Sequence, residues 1–546
     1  MFNYIMETSS NTLSRLAGIS LISLTGIILA SCLAHRHETC ALQVAHLILQ
    51  SIVLYLAVGI IAGRDRLRKT EAIPIITLCG ICLFQVALGM LQLTGKRISA
   101  HGIGQCTGTF QNPGPYGGFL AVSSVILISW IINERSNQSQ RLRHLRIPVY
   151  VATASSIIML PATMSRAGML ALAAGIAAMV TFSYRIRKTI RKRYAKRTHF
   201  LSIAIIMSVL VVAAGLFAYH QKKDSADGRL FMGKISIQAM SYRPLAGFGP
   251  GRYTTAYGEA QSRYFSKGKY TERERMLADS PEYAFNTFLA VGVEYGIPAM
   301  LISLFAIATT IIAGIRKASP AGYGLFALSV FALFSYPHEI KAFQIMAPLL
   351  LSICNSDINW NNSNIRKHLF ALAIVCFAIT TNKLIPIKKA ESEWHKAEVL
   401  YKQDRYDMTV RRYAELLPYL SSNHKFLFQY GRALLKTGEY RLSDSILHIG
   451  AAISCDPMFW NLIGQNQQAL KNYSEAEESF LRAHTMLPNR LYPLYLLLIL
   501  YKESGQAMRF QETLPYVNAF KPKIESHLTE EMRKEILNQK SNPAER

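Results

Sequence analysis

The sequence predicts an all-α protein in two parts. A polytopic transmembrane helical domain of about 11 spans (10–12) should cover 1–387, and a soluble α-solenoid should cover 388–546. Three observations predict this. Half of the 546 residues are apolar and only 17% are charged, with a mean hydropathy of +0.17. The long apolar runs are confined to 1–387. From residue 390 onward the pattern recurs every 33 residues. This composition excludes a wholly soluble protein, a disordered chain and a disulfide scaffold.

A spanning helix needs about 20 apolar residues. The runs that qualify are 15–34, 42–62, 72–93, 115–132, 148–164, 167–183, 200–219, 287–314, 321–336, 342–353 and 368–383, the tenth being short. Charge orients them. The protein carries 60 Lys and Arg against 34 Asp and Glu, a net +26. Of these, 22 basic and 19 acidic residues lie in 388–546, leaving 38 and 15 in the membrane part. The basic excess sits in loops between apolar spans, which reads as membrane topology and not as nucleic-acid binding. One alternate set of loops contains 64–69, Arg135, 141–146, 185–197, 315–317 and 365–367, with 20 basic residues; the other short loops hold five. The basic set is therefore cytoplasmic. The N-terminus is then expected inside the cell, with the long loop 220–286 and the C-terminal domain in the periplasm. Leu29-Ala30-Ser31-Cys32 also has the form of a lipoprotein cleavage box, although a first span explains the run equally well.

Soluble-type chemistry is poorly represented. Cys79 and Cys82 are spaced C-x-x-C but lie inside an apolar run, where packing explains them better than zinc or redox chemistry. Cys40 and Cys106 share the expected periplasmic side, which leaves a disulfide between them open. No P-loop, H-E-x-x-H or nucleophile elbow is present. Pro250 argues against a dinucleotide turn at Gly247–Gly251. No metal and no cofactor are expected.

In the C-terminal part, Trp394, Leu427, Trp460 and Pro493 are spaced by 33 residues. Residues 460–488 match the tetratricopeptide pattern W-x2-L-G-x2-Y…A-x3-F…P well; 427–457 match less closely, and 394–420 and 493–520 weakly. Such repeats stack helix pairs around a concave face. Two roles stay open, partner binding and a packing lid on the membrane domain.

Polar residues at the edges of spans are costly and mark function. Four groups stand out on the expected periplasmic side. Thr107–Pro113 precedes the fourth span and leads into Gly117–Ala121. Ser165-Arg166-Ala167-Gly168 breaks two spans. Asp227-Gly228-Arg229 opens the long loop, which runs on through Tyr242–Gly251 to Arg252. Ala278–Leu289 precedes Gly292–Ile297. Arginine grips phosphate with a two-pronged fork, so Arg166 and Arg229 point to a lipid-linked phosphate or diphosphate. A carboxylate or histidine could then act as base on an acceptor hydroxyl.

These four groups, in this order, resemble the O-antigen ligase and polymerase superfamily of bacterial inner-membrane glycosyltransferases. Its pattern is G-T-F-x-N-P, then S-R-[GA], then an Arg-led loop running into h-P-L-x-G-h-G-P-G, then H-N-x-h-L with E-x-G-h after it. Residues 107–121, 165–168, 229–251 and 285–297 carry the likeness, which covers 1–355. The resemblance implies transfer of a glycan from an undecaprenyl-diphosphate carrier to lipid A core, a protein Ser or Thr, or another glycan, without a metal. It also implies that Arg166 and Arg229 hold the diphosphate, supported by Asn112, Arg252 and Asn286. The chain departs from the pattern at Phe285, where the family has histidine. Glu282, one helical turn before Asn286 if the helix has already begun, and His338 are the alternative bases. Two other classes compete. A transporter for the same lipid would need paired ionisable residues deep in the spans, and 42–62, 72–93 and 115–132 contain no Asp, Glu, Lys or Arg. A non-catalytic anchor presenting the repeats to a protein partner would tolerate loss of both arginines.

Overall fold

The computed structural model describes residues 2–36, 38–61, 72–102, 105–137, 145–182, 223–356 and 363–540. The expected span 200–219 and the basic segments 64–69 and 185–197 lie outside these residues. Among the described residues the regular elements are helical: α1 (Phe2–Ala34), α2 (Thr39–Ile61), α3 (Ala72–Leu93), α4 (Pro113–Asn137), α5 (Arg146–Met159), α6 (Arg166–Phe182), α7 (Lys223–Tyr242), α8 (Tyr253–Ser266), α9 (Glu272–Leu277), α10 (Thr287–Arg316), α11 (Pro320–Leu333), α12 (Lys341–Cys354), α13 (Ser363–Lys402), α14 (Tyr406–Leu420), α15 (His424–Lys436), α16 (Tyr440–Ala451), α17 (Met458–Ala469), α18 (Tyr473–Met486), α19 (Tyr492–Glu503), α20 (Ala507–Ala519) and α21 (His527–Lys540). Short 3-10 turns add Pro161–Thr163 and Pro337–Glu339.

The chain forms two compact units. One comprises residues 1–33, 44–223 and 285–379; the other comprises 34–43, 224–284 and 380–546. Among the described residues, six helices are long and apolar enough to cross a membrane: within α1, α2, α3, α4, α10 and α13. The apolar helices α6, α11 and α12 are shorter, at 14 to 17 residues. The expected span 148–164 stops at Met159, where Pro161 opens the 3-10 turn. The expected span 287–314 is divided at Gly296, whose φ of 87° departs from the helix two residues before Pro298. Beyond the last span α13 continues unbroken to Lys402, so the expected boundary at 387/388 falls inside a helix.

In the first unit α4 is the central element. Of its apolar window 83% is buried, against 11 to 39% in the other five candidate spans. Apolar matter surrounds these helices on every side, so close approach has to come from small side chains. A Cβ on Gly175 would stand 2.5 Å from Val125, and one on Gly314 would stand 2.7 Å from Gly322. Tyr116, Leu120, Val125, Phe331 and Phe343 fill the interior around these contacts. At the end opposite the α4 N-terminus, cations close helix carbonyls: Lys317 donates to the Cys354 carbonyl (2.7 Å) and Arg366 to that of Gly59 (2.5 Å).

In the second unit, α15 to α20 form successive helix pairs, and the 33-residue spacing has a direct packing cause. Gly431 faces Leu447 and Gly464 faces Phe480, each at 2.5 Å or less for an added Cβ. The glycine therefore recurs where the two helices of a pair cross. Phe426, Phe459 and Phe480 are fully buried in this packing.

His484 lies between Tyr516 and Phe520, with ring centroids at 6.5 and 6.3 Å, and its Nδ1 is sealed without a hydrogen-bond partner. Burial, reinforced by the nearby Arg275 guanidinium, pushes its pKa down to about 4. Between the ordinary value of 6.5 and this one, the unfolded chain binds the proton that the folded chain excludes. Stability should therefore fall as pH drops through that window. Replacing His484 with Gln should flatten the decline, read as melting temperature of the purified protein between pH 7 and 4.

Candidate functional site

The polar face of the first unit is built from the end of α3. Gln92 sits in the last turn of that helix and is buried. Its Oε1 accepts from the backbone N–H of Thr107 and of Gly108, both at 2.9 Å, and its Nε2 donates to the Gly108 carbonyl at 3.0 Å. Gln85, two turns earlier, accepts from the Thr109 N–H (3.0 Å) and donates to the Thr109 hydroxyl (2.7 Å). The T-G-T-F turn thus closes on two amides inside an apolar helix, where an unpaired backbone group would cost about 1–3 kcal/mol. Gly108 is required here, because its φ is 55°.

From that turn the chain enters α4. Asn112 caps the entry, its Oδ1 accepting from Gly114 N–H at 2.9 Å. The S-R-A-G segment lies beside it. Met164 takes a left-handed turn, and Ser165 then donates to the Gly114 carbonyl (2.9 Å) while its hydroxyl accepts from Gly168 N–H (3.2 Å). A Cβ on Gly168 would stand 2.8 Å from the Gly117 carbonyl. The first turns of α4 and α6 are therefore held together, with Arg166, half-buried, as the first residue of α6. Helix N-termini carry partial positive charge and attract anions. A cation in the first turn adds to that field.

Two more helices begin at this end. Asn286 is the N-cap of α10 and accepts from Phe288 N–H (3.0 Å) and Leu289 N–H (3.1 Å). In the turn before α12, His338 Nδ1 lies 3.0 Å from the Thr287 hydroxyl and Nε2 lies 3.5 Å from the Glu339 carboxylate. Gln344 fixes the turn by donating to the His338 carbonyl at 2.7 Å. Rings link these turns: Phe110 to Phe119 at 5.6 Å, Phe119 to Phe343 at 6.4 Å, and Phe285 to Tyr336 at 5.2 Å. The side chain of His338 is a third exposed, yet the packing around it pushes its pKa down to about 4. The imidazole is neutral at physiological pH. Burial pushes the Glu339 carboxyl upward.

The other sequence-derived candidates belong to the second unit. Arg229 is not in an opening loop; it lies half-buried in the second turn of α7. Arg252 is held two-pronged by Glu38, with Nη2–Oε1 at 2.7 Å and Nε–Oε2 at 3.1 Å. The G-h-G-P-G run bends around the same segment: Gly249 and Gly251 have φ of 102° and 67°, and added Cβ atoms would meet His35 and Cys40. Glu282 does not share a helical face with Asn286, because α10 begins only at Thr287; its carboxylate pairs with Lys425 at 2.6 Å. Cys40 and Cys106 are not joined by a disulfide. Among the described residues no group of three or more His, Cys, Asp or Glu side chains is arranged to hold a metal ion.

Fold and site together describe a multi-pass membrane protein whose polar groups gather where several helices begin. The O-antigen ligase family model matches residues 151–304, a stretch that contains Arg166, Arg229 and Asn286 and ends before His338. No curated protein matches the chain. The match is a likeness to the O-antigen ligase family over that stretch, and it supports the resemblance of the four polar groups to the same superfamily.

Sequence reasoning passed over Gln85, Gln92, Thr287 and Glu339. The two glutamines were readable as amides in an apolar run. Thr287 and Glu339 acquire meaning only from the fold.

The shared approach of α4 and α6 gives a stability test. Gly168→Ala forces a Cβ against Gly117 backbone and should cost about 1–3 kcal/mol, lowering the melting temperature in detergent. Gly80→Ala, with nothing within 4 Å of the new methyl, should leave it unchanged or raise it.

Proposed function

We propose that the chain is an O-antigen ligase-like glycosyltransferase, moving a glycan from undecaprenyl diphosphate to an acceptor hydroxyl of lipid A core or of a protein Ser or Thr. The observation that carries this reading is the joined first turns of α4 and α6, with Arg166 as the first residue of α6. Two adjoining helix starts and a cation in the first turn of one of them suit a diphosphate leaving group, which gains most from charge stabilisation. Arg229 is assigned the same ligand class by resemblance alone. Asn112 and Asn286 support the site as caps.

His338 is the better base of the two candidates. It reaches Thr287, two residues past the family's histidine position, whereas Glu282 is already engaged by Lys425. In the transfer, the acceptor oxygen bonds to the anomeric carbon as the carbon–oxygen bond to the diphosphate breaks, and that electron pair leaves on the phosphate. The acceptor proton passes to the neutral imidazole. Glu339, facing the other ring nitrogen, stabilises the imidazolium that forms.

The setting follows from charge. Lys317 and Arg366 lie at the opposite end of the bundle, as a cytoplasmic face requires. The site end, the insertion after α6 and the tetratricopeptide-like repeats are then periplasmic, and the membrane is the bacterial inner membrane. Polymerisation of the same glycan is the alternative within the superfamily.

The test is glycan transfer in a deletion strain complemented with each variant at matched expression. Arg166→Ala should lower transfer about 100-fold or more, and His338→Ala by about 10²–10⁴. Glycan laddering on lipopolysaccharide, or glycan on envelope protein, names the acceptor. Full activity in both variants would sink the catalytic assignment in favour of an anchor.

A further inference from the structure

The insertion between α6 and α10 is packed against the helix pairs through a set of side chains that the transfer reaction does not use. Asn489, fully buried in the turn after α18, donates to the carbonyls of Arg275 (3.0 Å) and Ala278 (2.8 Å). Arg275, 8% exposed, donates in the other direction to the carbonyls of Pro488 (3.0 Å) and Lys521 (2.8 Å), and its guanidinium lies 4.8 Å over Phe520. Glu272 balances its charge, at 2.8 and 2.5 Å. Gln261 on α8 bridges the Asp279 carbonyl (3.0 Å) and that of Met486 (2.7 Å). A Cβ on Gly258 would stand 2.6 Å from Cys455, and Lys425 pairs with Glu282. Two turns between helix pairs, near 455 and 489, thus receive the segment 253–282.

The six residues of α9 carry this grip back toward the candidate arginine. Arg275 faces the repeats. Its neighbour Glu274 pairs with Lys234 of α7 at 2.6 Å, which, with the Thr271 cap, holds the Glu274 carboxyl down at about 2. Arg273 pairs with Asp227, two residues before Arg229. Three consecutive side chains therefore join the repeats to both sides of the turn that bears Arg229.

We propose that the repeats are a clamp for the chain's own insertion. Their inter-pair turns form a docking surface whose occupant is the segment 253–282, and α9 is the strut by which that surface fixes the α7 helix carrying Arg229. Arg275 and Asn489 are positioning residues. The structural half stands by itself; the effect on catalysis rests on the transferase reading.

The experiment is hydrogen exchange on the full-length protein in membranes, beside transfer kinetics. Arg275→Gln and Asn489→Ala should speed exchange across 224–284 about tenfold or more, with 424–436 and 458–469 unchanged. The donor KM should rise more than kcat falls. Lys425→Glu is the milder variant, and adding Glu282→Lys should restore slow exchange. Unchanged exchange across 224–284 in all three single variants overturns the clamp. Faster exchange with wild-type kinetics overturns the positioning role alone. Arg166→Ala and His338→Ala are run in parallel: if both transfer normally with slow exchange, the transferase reading fails and the clamp stands.

Discussion

Gln92 places an amide at the last turn of an apolar helix and spends it on the backbone of the chain that follows. The arrangement at this end of the bundle depends on that exchange. Non-helical backbone at a membrane boundary has to find its hydrogen bonds within the protein. Gln92 and Gln85 supply them to Thr107, Gly108 and Thr109, which lets the turn end in Asn112 and the buried helix α4 begin where it does. Ser165 then measures its position from Gly114. Arg166 is consequently fixed by a sequence of polar contacts that starts one helix earlier.

Much of this was readable before the fold was known. The apolar runs, the order of the four polar groups and the 33-residue spacing each have a one-dimensional signature. The glycines of the second half recur because each lets an aromatic or leucine side chain from the partner helix approach. Less was readable at the site. Gln85 and Gln92 lie inside an apolar run and not among the polar groups at its edges, and nothing local marks what they bond to. Glu282 was placed by assuming that α10 began early, but Asn286 is a cap and the turns before it are irregular. Arg252 was read as a ligand residue, and it is the partner of Glu38. His338 and Thr287 stand 51 positions apart in the chain, and no local pattern could bring them together.

The grip on the insertion was invisible for a different reason. Asn489, Arg275 and Gln261 all address main-chain carbonyls. Carbonyls are the same at every residue, so they leave no mark in a sequence. Periodicity identifies where helix pairs lie; what their connecting turns hold follows only from geometry. The long polar insertion and the repeats, which look like separate modules along the chain, are packed as one compact unit.

Cys455 shows a chemical side of that packing. Its thiol is buried against Gly258, its Sγ faces the Pro281 carbonyl at 3.7 Å, and burial pushes its pKa up to about 12. The thiolate is the species that attacks disulfides. Here the thiolate is suppressed and the sulfur is walled in by glycine and backbone. The seated insertion therefore shields the Cys455 sulfur from exchange with other thiols.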